Sequence, residues 1–108
     1  MSKAKFNPGQ IVSTNNVATI CEAYPEFSTF ISHSMKRHLS GDWGDLDQED
    51  KDSNDEALAC PINRIEEFGD RIFSAYNFQQ LPGVTDTKIW IITEYDRSVT
   101  TILFPSEY

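Results

Sequence analysis

Three runs toward the C-terminal end, RIFSAYNF (Arg71 to Phe78), KIWIITEY (Lys88 to Tyr95) and SVTTILF (Ser98 to Phe104), constrain the fold of this chain more than any other feature. Their β-branched and aromatic residues suit a pleated, half-buried surface, and each run has the length of an ordinary strand. Pro82-Gly83 marks a loop between the first two, and Asp96-Arg97 a tight hairpin between the last two. An antiparallel meander is expected. In the middle run Ile89, Ile91 and Thr93 fall on one side, with Lys88, Trp90, Ile92 and Glu94 on the other, so both faces of the sheet carry apolar residues. The second face is then covered by the N-terminal arm and Trp43, or it meets another chain.

The residues before the meander read as helical. Residues 1–9 lack periodicity and contain Pro8-Gly9, which predicts a flexible arm leading into a short strand at Gln10-Ile11-Val12. Ser13-Thr14-Asn15 supplies N-caps for a helix over Asn16 to Ala23. Pro25 suits the first turn of a second helix, in which Phe27, Phe30, Ile31, Met35 and His38 or Leu39 recur at three- and four-residue spacing. Ser40-Gly41 ends it. Gly41 and Gly44 flank Trp43 in a compact connection, where the indole either plugs the core or stands out as an anchor. A third helix runs from Asp47 or Gln48 to about Leu58 with Asp47 as cap, and its few apolar residues, Ala57 and Leu58, leave it largely exposed. Cys60-Pro61 to Gly69 reads as an irregular linker. The expectation is an α+β protein: about three N-terminal helices packed on a small antiparallel sheet formed mainly by the C-terminal three-stranded meander, residues 10–108 making one domain.

Charge is the second constraint. Between Asp42 and Asp70 lie Asp42, Asp45, Asp47, Glu49, Asp50, Asp52, Asp55, Glu56, Glu66, Glu67 and Asp70 against only Lys51 and Arg64, a local charge of -9 in a chain of net -8. Direct binding to phosphate backbones needs the opposite sign. With 39% hydrophobic residues the chain nonetheless has the content of a globular protein. MSKAKFNPGQ lacks the charged-then-apolar pattern of a leader, and no apolar run is long enough to span a bilayer, so a cytoplasmic protein is expected. Cys21 and Cys60 are too far apart for a CxxC motif and are read as reduced thiols.

The acids do not spell a metal site. Aligned as a calcium loop, Asp45, Asp47, Glu49, Ser53 and Glu56 supply oxygen ligands, but Asp50 stands where the sharp turn requires glycine. A helix explains the segment better. His33 and His38 are five residues apart, roughly 140° around a helix axis, and do not converge on one ion. No metal or other cofactor is expected. No nucleophile elbow or phosphate loop is present, and the one enzyme-like arrangement is a pocket combining Arg71, Glu94, Asp96 and Arg97 near one sheet edge.

The strings HLSGDWGDL (His38 to Leu46), RIFSAY (Arg71 to Tyr76) and KIWIITEYDRSVTTILFPSEY (Lys88 to Tyr108) resemble a family of small, mostly uncharacterised, plasmid-related bacterial proteins found on mobile genetic elements. The resemblance covers roughly residues 10 to 108, with extra residues around Pro61 to Phe68. It implies a context in which small acidic proteins block host restriction or CRISPR systems, and transfers no biochemical activity.

Charge and context together predict a non-enzymatic acidic inhibitor, anti-CRISPR or anti-restriction in type, whose partner is a basic nucleic-acid-binding protein or complex. Its eleven carboxylates would form the partner-binding surface as a nucleic-acid mimic, with Trp43 as an anchor if exposed. Two alternatives stay open: a dimeric structural or regulatory protein joined through the sheet at Trp90 and Ile92, and a small enzyme using the Arg/carboxylate pocket.

Overall fold

The structure, a computed structural model, describes residues 4–108. In chain order the elements are β1 (Gln10–Ser13), α1 (Asn15–Ala23), α2 (Pro25–Leu39), α3 (Gln48–Ala59), α4 (Ile65–Phe68), β2 (Ile72–Asn77), β3 (Lys88–Thr93) and β4 (Val99–Leu103), with short 3-10 turns at Ile62–Arg64 and Pro105–Glu107. The class is α+β. The meander is present, β2 antiparallel to β3 and β3 to β4. The expected three-stranded antiparallel sheet needs two corrections, however: β1 adds a fourth strand parallel to β4, giving a mixed sheet of order β1-β4-β3-β2, and the expected linker before Gly69 holds a 3-10 turn and a fourth short helix.

Local chemistry accounts for the helices. The Thr14 hydroxyl caps α1 by accepting from the Val17 N–H, and Pro25 occupies the first turn of α2, where a missing N–H costs nothing. On α2 the spacing of Phe27, Ser34, Met35 and His38 presents one buried stripe to the sheet. That stripe meets Tyr76, Ile89, Ile91 and Ile102, and α1 contributes Val17, to form the main core. A second, smaller cluster joins Trp43, Ala57 and Ile72.

Residues 4–9 of the arm lie against this helix-bearing face; residues 1–3 fall outside the described residues. The Lys5 N–H donates to the Leu39 carbonyl, the Phe6 ring meets His38 edge-on, and the Pro8 carbonyl accepts from the Thr100 hydroxyl. Gly9, at φ +66°, passes so close to the Ser98 carbonyl that a Cβ would collide with it. Trp43 packs beside His38 on the same face. Neither the arm nor Trp43 therefore covers the opposite face, where the Phe73, Trp90 and Tyr108 rings pack edge-on and Arg71 and Ile92 complete a groove of about 240 Å³.

Candidate functional site

The acidic stretch divides into carboxylates used by the fold and carboxylates left in solvent. Trp43 to Asp45 runs beside β2 and closes its outer edge: the Ala75 N–H donates to the Trp43 carbonyl (3.3 Å), the Asp45 N–H donates to the Ala75 carbonyl (2.7 Å), and the Asp45 carboxylate accepts from the Asn77 N–H (2.9 Å). Gly44 makes this approach feasible. At φ +78° it lies where a Cβ would strike the Ala75 carbonyl and the Tyr76 ring. One step further along the edge, Asn54 on α3 binds both main-chain groups of Phe73, at 2.5 and 3.0 Å.

Three neighbours fasten this cover. Asp42 takes a bidentate contact from Arg37, at 2.7 and 3.2 Å, and accepts from the Gly44 N–H, while its own carbonyl accepts from the Tyr76 hydroxyl at 2.6 Å. The hydrogen bond from Arg37 holds the Asp42 carboxyl below its ordinary range. Asp47 caps α3 through the Asp50 N–H at 2.9 Å. Asp55 accepts from the indole N–H of Trp43 at 2.9 Å. Trp43 itself is 4% exposed, so its ring fills the second core cluster and offers no surface to a partner.

Glu49, Asp52 and Glu56 behave differently. They share the face of α3 directed away from buried Asn54 and Ala57, and all three are exposed. Among the described residues Asp52 accepts only from the Gln48 amide one turn earlier. The ion pairs Arg37–Asp42 and Arg71–Glu94 involve no acid of α3. Asp50 is exposed in the first turn, where the helix dipole favours it. Glu66 and Glu67 are exposed on α4, where the Glu66 charge pushes the nearby Tyr95 phenol upward. Asp70 is exposed beside β2, its carboxylate on the Arg71 N–H.

Arg97, expected in an Arg/carboxylate pocket, serves instead to bind main-chain carbonyls. It sits in the β3–β4 hairpin at φ +62° and is only 9% exposed. Its guanidinium donates to the carbonyls of Asp70, Glu94 and Tyr95 and, at 2.8 Å, of Ala57 in the last turn of α3. A cation thus faces the negative end of that helix dipole, which offsets the acids near its C-terminus. Burial lowers the Arg97 pKa from its ordinary value. The polar character of Asp96-Arg97 marked a turn; nothing in the sequence showed that the side chain would fold back under it.

The expected Arg/carboxylate pocket does not assemble as one constellation. Arg71 pairs with Glu94 at 3.3 Å and donates to the Tyr108 hydroxyl, Arg97 points at main-chain carbonyls, and Asp96 accepts from the Ser98 N–H. A separate cleft of about 450 Å³, between the start of α2 and the segment after β2, has Glu26 as its one titratable group.

His38 is fully buried against the helix-bearing face of the sheet. It belongs to a hydrogen-bonded chain whose polarity is set at its end. The Thr100 hydroxyl donates to the Pro8 carbonyl (2.7 Å), so its oxygen accepts from Thr93 (2.7 Å), which in turn accepts from the His38 Nε2–H (2.9 Å). Nδ1 then accepts from the Ser74 hydroxyl (2.5 Å). Burial depresses the imidazole pKa to about 3, so the ring is neutral. Among the described residues no three His, Cys, Asp or Glu side chains converge as metal ligands, and Cys21 and Cys60 are free thiols. Of the residues aligned as a calcium loop, Asp45 lies beside β2, Asp47 caps α3, and Glu49, Ser53 and Glu56 lie on that continuous helix.

Fold and site together define an α+β protein with a four-stranded mixed sheet, one sheet edge sealed by an acidic connection, and an exposed helix whose carboxylates make no ion pair among the described residues. No family model, no curated protein and no solved structure matches the chain. Among the described residues no helix is long and apolar enough to cross a membrane.

Proposed function

We propose that the protein is a non-enzymatic acidic binder that occupies the basic, nucleic-acid-binding surface of another protein, an anti-CRISPR or anti-restriction inhibitor carried on a mobile element. The observation that carries this reading is the division of the acids. Asp42, Asp45, Asp47 and Asp55 serve the fold, whereas Glu49, Asp52 and Glu56 form a row on α3 that, among the described residues, makes no hydrogen bond outside that helix. At 1.5 Å of rise per residue the row spans about 10 Å, comparable to three base pairs of duplex. Asp50, Glu66, Glu67 and Asp70 add charge beyond it. Such a surface speeds encounter with a basic partner and is screened by salt. The resemblance to plasmid-related proteins supplies the setting.

Affinity purification from bacterial lysate at low salt tests the reading. Recovery of a nucleic-acid-binding protein that added duplex DNA displaces supports it; recovery of no such protein removes it.

A further inference from the structure

The two edges of the sheet are finished differently. On β2 the outward main-chain groups of Phe73 and Ala75 and the Asn77 N–H all have partners, supplied by Asn54, Trp43 and Asp45. At β1, Gln10 and the following Thr14 donate to the Ser98 and Ile102 carbonyls on the β4 side. That alternation turns the N–H and C=O groups of Ile11 and Ser13 outward. Among the described residues no loop or side chain bonds to them. The Ile11 side chain beside them is 48% exposed.

We propose that β1 is a self-association edge, on which two copies of this chain pair their β1 strands antiparallel about a twofold axis. The pattern of free groups is self-complementary. With Val12 opposite Val12 of the second copy, Ile11 faces Ser13 of that copy and each such pair exchanges two hydrogen bonds, extending two four-stranded sheets into one of eight.

Charge selects a second copy as the occupant. From Phe6 to Cys21 the chain contains no Asp, Glu, Lys or Arg, although its net charge is -8. Along this stretch two copies of an acidic chain repel least. Edge strands are ordinarily guarded by a charged residue or a proline within the strand, and Gln10-Ile11-Val12-Ser13 has neither. The nearest carboxylates lie at its two ends and keep their charge, held by neutral donors: Glu107 accepts from Thr14, Asn16 and the Phe104 N–H, and Asp96 accepts from the Ser98 N–H. Four residues of strand make an interface below the ~1,200 Å² of stable complexes, so the association is weak and concentration-dependent.

Sedimentation of the full chain over a range of about 10 µM to 1 mM, suited to such an interface, reads this directly. The average mass is expected to rise from 12.3 kDa toward twice that value. Ile11→Lys, at a side chain already half in solvent, should weaken association at least tenfold with an unchanged circular dichroism spectrum. In a background with Cys21→Ala and Cys60→Ala, Val12→Cys should form an inter-chain disulfide, since facing residues of a non-hydrogen-bonded pair lie about 4.5 Å apart at Cα. A mass that stays at the monomer throughout overturns the proposal. So does a dimer indifferent to Ile11→Lys, or one that cross-links through Trp90→Cys on the open sheet face and not through Val12→Cys.

Discussion

Asn54 pairs with Phe73 through both ends of its carboxamide, Nδ2 donating to the Phe73 carbonyl and Oδ1 accepting from the Phe73 N–H. One side chain of an acidic helix thereby substitutes for a residue of a neighbouring strand. Asn54→Ala strips both partners from a part-buried main-chain site, and should cost about 2–4 kcal/mol in urea unfolding, summing two lost hydrogen bonds with their desolvation penalties. Asn54→Asp retains the acceptor but sets a carboxylate against the Phe73 carbonyl, and should also lose stability. A neutral outcome for both variants would mean that the edge is not held here.

Arg97 combines two opposing contributions that substitution separates. Replacing it removes the donor shared by four carbonyls, which destabilises; glycine in its place relieves the positive φ, whereas alanine does not. Arg97→Ala should therefore be less stable than Arg97→Gly by about 1 kcal/mol, the cost of a left-handed backbone at a residue with a Cβ. Both should melt below wild type. Equal melting temperatures for the two variants would contradict the strained geometry.

Among the described residues the buried hydroxyl of Ser34 has no hydrogen-bond partner. It lies in the interior of α2, fully enclosed, where alanine is the better helix former and leaves no orphaned polar atom. Ser34→Ala should raise stability by about 1 kcal/mol on the scale of an unsatisfied buried group. Thermal unfolding measures this; a loss of stability would show that the hydroxyl is bonded.

His38 predicts a pH dependence. Its folded pKa of about 3 lies below the ordinary 6.5, so the unfolded chain binds the proton first as pH falls. The stability present above about 6.5 is then lost at up to about 1.4 kcal/mol per pH unit toward pH 3, and levels off below that. Nitrogen NMR shifts should show the Nε2–H tautomer throughout the folded range. An imidazole that protonates near pH 6 without unfolding would contradict the buried chain from Ser74 to Pro8.

What the sequence disclosed follows from how local each determinant is. The three strands of the meander and the Asp47 cap of α3 are set by side-chain type and nearest neighbours, and they are where alternation and capping rules place them. The parallel pairing of β1 with β4 joins residues about ninety positions apart, which no local pattern encodes. The acids posed the same difficulty. Asp45 and Glu49 are alike in sequence, yet one is bonded to the Asn77 N–H and the other stands in solvent, because the difference depends on which strand edge passes beside them. Trp43 was legible as a plug or an anchor, and the indole bond to Asp55 within the Ala57 and Ile72 cluster resolves it as a plug.

The exposed row on α3 can be separated from the structural acids by one comparison: capture of partners from bacterial lysate by the wild-type chain and by the variant Glu49→Gln, Asp52→Asn, Glu56→Gln, at low salt and at about 0.5 M, where exposed charges are screened within a few ångströms. The variant should unfold within about 0.5 kcal/mol of wild type, as surface substitutions do. The account predicts a nucleic-acid-binding protein held by the wild type at low salt, released at high salt, and not held by the variant. Capture that ignores both the substitutions and the salt would contradict it.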